Sequence, residues 1–187
     1  MKLKIKVKTI SGQKMPKIIG KGEWIDLRAN ETVELHAPAI KKVIPNKKSK
    51  SEEGKQNMPP VQNPYRYVNE VVYISLGVAM KLPDGFEAII APRSSSPKNF
   101  GFIVPNSFGV IDSSYCGNED EWKLIALPFR DATISREDRV CQFRIQLSQK
   151  ATFWQKLKWF FSNGIEFVQV EDLEGTARGG FGSTGTN

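Results

Sequence analysis

The stretch from residue 92 to 118, PRSSSPKNFGFIVPNSFGVIDSSYCGN, crowds a fork-shaped cation, adjacent hydroxyls, one carboxylate and an aromatic ring between glycines. That mixture suits a polyphosphate ester and a water molecule better than it suits a hydrophobic core. Arg93, Ser94, Ser95 and Ser96 follow the apolar run FEAIIA, so they sit where a buried strand ends. A guanidinium with hydroxyls and unpaired backbone amides there can meet phosphate oxygens. The same residues also describe an ordinary polar turn with serine capping. Further on, Asn106, Ser107, Phe108 and Gly109 read as a turn, and Val110 and Ile111 lead a strand into Asp112. A carboxylate held near phosphates can orient a water and accept its proton. Tyr115 lies close enough to lay its ring against a sugar or base, although an aromatic after a turn is also a common packing residue.

The C-terminal segment Arg178, Gly179, Gly180, Phe181, Gly182, Ser183, Thr184, Gly185 is the second constellation. Glycines expose backbone amides and let the chain wrap a ligand. Composition alone describes a disordered tail. The order of side chains describes a lid: Phe181 stacks on a base while Arg178, Ser183 and Thr184 meet distal phosphates.

The elements that must position these groups are mostly strands. Leu3, Ile5 and Val7 alternate with Lys2, Lys4, Lys6 and Lys8, which predicts a half-buried strand whose lysines discourage edge pairing. Further strand-like runs fall at 71–80, 101–104, 122–129, 140–147 and 165–170. Their spacing between Pro, Gly and Asn predicts an all-β fold, a distorted antiparallel β-barrel or jelly roll. Residues 1–175 form one domain and residues 176–187 a flexible lid. Residues 41–63 are charged and aperiodic, which predicts a mobile surface loop inserted between strands. Within 151–163, Phe153, Leu157 and Phe160 with Trp154 and Phe161 recur at helical spacing, which predicts a short amphipathic helix packed into the core or a subunit contact.

The five clusters, in order, resemble the motifs of the dUTPase family of homotrimeric all-β dUTP diphosphatases: Asp26-Leu27-Arg28-Ala29; Pro92 to Ser96 with Lys98 and Gly101; Asn106 through Gly109, Val110, Ile111 and Asp112 to Tyr115 and Gly117; Arg139-Val140-Cys141-Gln142; and the tail from Arg178. The resemblance implies hydrolysis of dUTP to dUMP and pyrophosphate, which limits uracil entry into DNA and supplies dUMP for dTTP synthesis. It implies that Asp112 activates the attacking water, that Tyr115 packs under deoxyribose, and that the hairpin from Asn106 to Ile111 reads uracil through backbone groups. It implies that Arg93, Ser94, Gln142, Arg178, Ser183 and Thr184 hold the phosphates. Asp26 is placed near magnesium and its waters, with Mg2+ itself riding on the triphosphate. It also implies a homotrimer in which the tail of one chain closes over a site built by others. The Arg-Ser-Ser second motif is similar to a bacterial and phage branch. Ser95 stands where the family usually has glycine, which predicts strain if that position needs a positive φ.

Composition fits without choosing the function. The chain of 187 residues can bury a substantial core, and its net charge of +7 gathers in the first strand and the 41–63 loop, as on a solvated basic face. No His or Cys set has zinc spacing. No leader-like or long apolar run is evident, so the expected location is the cytoplasm, with no membrane association and with Cys116 and Cys141 reduced. Two other readings stay open here. One is a dCTP deaminase, which shares the Arg-Ser-Ser motif but needs a Glu proton shuttle after the hairpin. The other is a nucleotide-gated regulatory protein with the insertions 41–63 and 151–163 as candidate surfaces for a protein partner.

Overall fold

Alternation of buried and exposed residues runs through the longer segments, and the computed structural model, which describes residues 2–18, 22–42 and 65–180, forms them as strands. Among these residues the order is β1 Leu3–Thr9, β2 Ile25–Arg28, β3 Val33–Leu35, β4 Ala39–Lys42, β5 Tyr65–Val68, β6 Val72–Ser75, β7 Val78–Lys81, β8 Phe86–Pro92, α1 Ser96–Phe100, β9 Phe102–Ile103, β10 Gly109–Asp112, β11 Lys123–Pro128, β12 Ala132–Ile134, β13 Arg139–Leu147, α2 Phe153–Phe160 and β14 Ile165–Gln169. The fold is all-β with two short helices. No sheet closes into a barrel among the described residues. The strands form small open sheets, the largest ordered β10-β8-β13-β2, and their inner faces share one core.

That four-stranded sheet positions the chemistry. β8 is hydrogen-bonded on both sides, with Asp112 opposite Glu87 across one edge and Gln142 opposite Ala91 across the other. Phe86, Ala88 and Ile90 point inward and are buried, so a one-residue slip would turn the core face to water. Trp122 packs edge-on against Phe143, ring centres 5.3 Å apart, tying this sheet to the neighbouring one.

Several expectations change. The lysine-faced strand β1 is central rather than an edge: it pairs in parallel with β14 and antiparallel with β7. Lys6 reaches Glu174. The run 71–80 is two strands, because Gly77 takes φ +66° where a Cβ would meet the Asn30 side chain. Most of the expected 41–63 loop, from residue 43 on, lies outside the described residues.

The helix forms as the period predicted. It is nucleated by a capping box in which the Gln155 amide donates to Thr152 and the Gln155 side chain accepts from the Thr152 amide. The stripe chosen for packing is nevertheless on the outside of the chain. Phe153, Trp154, Phe160 and Phe161 are exposed, and the helix is held instead by Trp159, whose ring lies 5.4 Å from that of Phe86. Trp159→Ala is therefore expected to lower stability by about 2 kcal/mol, while Trp154→Ala stays within about 0.5 kcal/mol. Urea unfolding of both variants checks this; a larger loss for Trp154→Ala would overturn the docking mode.

Candidate active site

A strand that ends in a carboxylate needs something to fix that carboxylate, and the sequence supplies it two residues later. Ser114 donates to the Asp112 Oδ1 through its amide (2.9 Å) and through its hydroxyl, a local turn that locks the side chain. The other oxygen, Oδ2, takes the Arg178 guanidinium at 2.5 Å. Tyr115 follows, with its hydroxyl on the Glu121 carbonyl (2.9 Å). A cleft of about 330 Å³ opens beside this turn. Asn106, Gly109, Val110 and Ile111 line it from the hairpin, Lys123 and Ile125 from β11, and Gly179 and Gly180 from the tail.

The expected phosphate-gripping residues gather elsewhere. Arg93 follows β8 and sets its Nε 2.8 Å from the Asp26 Oδ1, while the Arg139 Nη1 lies 3.0 Å from the Asp26 Oδ2. Gln142 donates to the Pro92 carbonyl beside them. The three serines divide. Ser94 is exposed. Ser95 adopts φ −87°, an ordinary right-handed value, so the expected strain is absent. Ser96 has no exposed surface and donates to the Val140 carbonyl at 2.9 Å, which removes it from the ligand-facing set.

The described residues thus bring Asn106, Gly109, Val110, Ile111, Asp112, Tyr115 and Arg178 to one cleft and Asp26, Arg93 and Gln142 to another place on the same chain. Phe181, Gly182, Ser183 and Thr184 lie outside the described residues. Glu121 escaped the sequence reading, because its carboxylate is engaged by the Ser75 hydroxyl and the Gly77 amide, partners distant in sequence. Ser114 escaped it too, although its Asp-x-Ser spacing is a readable turn signature.

Among the described residues no three His, Cys, Asp or Glu side chains cluster to hold a metal ion, and both oxygens of Asp26 face guanidinium groups. A hard divalent cation would find its oxygens on a polyphosphate instead.

Known proteins resemble this chain in both sequence and fold. A sequence profile described as dUTPase matches residues 63–185. The SPbeta prophage-derived deoxyuridine 5'-triphosphate nucleotidohydrolase YosS of Bacillus subtilis is 40% identical over 165 residues, covering 88% of this chain and 85% of that protein. The deoxyuridine 5'-triphosphate nucleotidohydrolase of Anaplasma marginale is 40% identical over 115 residues, 60% of this chain and 68% of that protein. In fold, the chain resembles the dUTPase from Streptococcus mutans, with a TM-score of 0.56 at 19% identity, covering 78% of this chain and 98% of that one. It also resembles the Staphylococcus bacteriophage 80alpha dUTPase solved with dUPNHPP, with a TM-score of 0.54 at 17% identity over 97% of this chain and 98% of that one.

The electrostatics of the cleft keep its carboxylate charged. Partial burial is the largest single influence on Asp112 and pushes its pKa up, but the bonds from Ser114 and Arg178 and the Arg178 charge together outweigh it, holding the group below the ordinary 3.8. Tyr115 moves the other way, raised by burial and then by the Asp120 and Glu121 charges, so it stays a neutral phenol. A lowered pKa means that the Asp112 contribution to stability is present above the unfolded value and lost as pH falls through the folded one. Its side chain is 48% exposed and that of Arg178 41%, so the effect on stability is small. Carboxyl-carbon NMR is expected to show Asp112 titrating below 3.8 and Ser114→Ala moving the midpoint upward. A midpoint that does not rise in Ser114→Ala would remove that contact from its role.

Proposed function

The chain belongs to the dUTPase family, and on that footing we propose how its residues divide the work of hydrolysing dUTP to dUMP and pyrophosphate. The observation that carries the proposal is the ionised Asp112, fixed by Ser114 at the mouth of a cleft that Arg178 shares. Asp112 orients a water and takes its proton as the water oxygen bonds to the α-phosphorus. The bond from the α-phosphorus to the oxygen that bridges it to the β-phosphorus breaks, and pyrophosphate leaves with that oxygen and the negative charge that Arg178 and the phosphate-gripping residues meet. Ser183 and Thr184 join them from the tail, and Phe181 covers the base. Tyr115 lies under the sugar. The triphosphate brings its magnesium, which spreads the phosphate charge as part of the substrate.

Base selection rests on the backbone. β10 is an edge strand of its sheet, so alternate N–H and C=O groups of residues 109–112 face away from β8 and present a fixed donor and acceptor pattern to a pyrimidine edge. Cytosine inverts that pattern at both N3 and the C4 substituent, and a 5-methyl group adds volume the cleft walls must refuse. Glu121 does not supply the proton shuttle a deaminase needs, because Ser75 and Gly77 hold its carboxylate.

The distance between the two clusters argues for a site shared between copies. Along β8 and one residue beyond it, the six steps from Glu87, opposite Asp112, to Arg93 span roughly 20 Å. A water-activating base and the cations that hold the phosphates must lie within a few bonds of one another, so the Arg93, Ser94 and Gln142 cluster serves an Asp112 from another copy. A homotrimer closed by one repeated heterologous contact satisfies that need for every site at once. The two free thiols suit the reducing cytoplasm. Among the described residues no helix is long and apolar enough to cross a membrane.

With dUTP, dCTP, dTTP and UTP in magnesium, pyrophosphate is expected from dUTP alone, lost on Asp112→Asn. Silence on dUTP would overturn the reading, and ammonia from dCTP would replace it with deamination. The shared site has its own test. Asp112→Asn and Arg93→Ala are each expected to be inactive, and mixing them through an unfolding and refolding cycle restores about a quarter of the activity, since random trimers pair intact halves at that frequency. No recovery in refolded mixed trimers would place both clusters in one chain's site.

A further inference from the structure

Asp120 is the one charged side chain that is buried among the described residues, 1% exposed, and its contacts are backbone amides. Gly117 donates to its Oδ2 at 2.8 Å, Gly179 to its Oδ1 at 3.0 Å, and the Arg178 amide to both oxygens at 3.0 and 3.1 Å. Three N–H groups converging on one buried site require an acceptor with several lone pairs and no donor, which an ionised carboxylate supplies and an amide does not. The acidic turn at 118–121 therefore has work beyond solvation.

Around this anchor the tail and the turn meet backbone to backbone. A Cβ on Gly175 would stand 2.2 Å from the Cys116 carbonyl oxygen, and one on Gly117 would stand 2.4 Å from the Ala177 Cα, so only glycine allows either approach. Asn118 closes the far end, donating to Asp172 at 2.9 Å and accepting from the Leu173 amide at 3.0 Å. The clasp ends at Arg178, whose main chain Asp120 grips and whose guanidinium reaches Asp112.

We propose that Asp120 is a positioning residue for hydrolysis: it fixes the main chain from which Arg178 projects toward Asp112. This rests on the reading that Asp112 and Arg178 act on the dUTP phosphates. Arg178 sits on a segment without regular structure, and its long side chain would otherwise sample many positions. Two amide bonds from consecutive residues to one buried carboxylate restrict both position and direction of that backbone. The grip on residues 178 and 179 also places the point from which the remaining tail leaves, directly over Tyr115, whose ring a Cβ on Gly180 would meet at 3.3 Å.

The test is Asp120→Asn, which keeps the shape and replaces one acceptor oxygen by a donor. The expected result is a folded protein by circular dichroism, kcat for dUTP reduced roughly tenfold to a hundredfold, a smaller change in KM, and faster hydrogen exchange at the Arg178 and Gly179 amides. In an Arg178→Ala background the same substitution is expected to cost nothing further, because the group being positioned is already gone. Unchanged turnover, or an equal loss with and without Arg178, would overturn the proposal. If Asp120→Asn does not fold, Gly175→Ala displaces the tail while leaving the carboxylate intact, and it is expected to show the same split; a normal kcat there would overturn it as well. The exchange measurement needs no substrate. Slow exchange at Arg178 and Gly179 in a wild-type protein that fails to hydrolyse dUTP would refute the hydrolytic reading while leaving the clasp standing, and fast exchange would refute the clasp alone.

Discussion

Both halves of the site are dimensioned by β8. Hydrogen-bonded on both edges and locked in register by the burial of Phe86, Ala88 and Ile90, this strand carries β10 at one side and β13 at the other. Its length sets how far the water-activating carboxylate stands from the cluster of cations. On the proposed reading that distance exceeds what a triphosphate requires between its attacked phosphorus and its grips, and a site shared between copies follows from strand geometry. Oligomerisation would then be a catalytic requirement before it is a source of stability.

Legibility in the sequence followed the range of the interactions. Asp112 and Tyr115 were readable because a β-branched run and a turn place them locally, and β8, β11, β13 and β14 were readable from their apolar spans. The position of β1 was not. Alternating Leu3, Ile5 and Val7 tell which face is buried but say nothing about what bonds to either edge, and here both edges are taken. The helix α2 shows the same limit: the period announced a helix, but only its contact with Phe86 reveals half-buried Trp159 as the residue that docks it. Among three neighbouring serines, composition cannot say that Ser96 turns inward to Val140. Asp120 was not readable at all, because the amides it holds in the tail lie 58 and 59 positions away.

The two clusters use charge in different ways. Asp26 holds Arg93 and Arg139 together, one guanidinium per carboxylate oxygen, with Asp26 only 19% and Arg93 24% exposed. Two like charges brought close repel, and the shared carboxylate offsets that repulsion while leaving a net positive charge. On the proposed reading this pair is an anion grip whose geometry exists before the anion arrives, which is where electrostatic catalysis gains most. Removing Asp26 would leave both cations present and neither fixed.

At the other cluster the pairing must be broken to be useful. In the resting chain the Arg178 guanidinium sits on the carboxylate oxygen that a water would need, so the base is ionised and masked. With both side chains about half exposed, such a pair is worth roughly 0.2 to 1 kcal/mol. Each charge-assisted bond from Arg178 to a phosphate oxygen is worth about 1.5 to 3 kcal/mol. On the proposed reading the triphosphate wins Arg178 from Asp112, and the transfer frees one carboxylate oxygen as it loads the cation onto the leaving side. Masking and activation would then be a single event driven by the substrate, which ties availability of the base and occupancy of the phosphate grips to the same displacement.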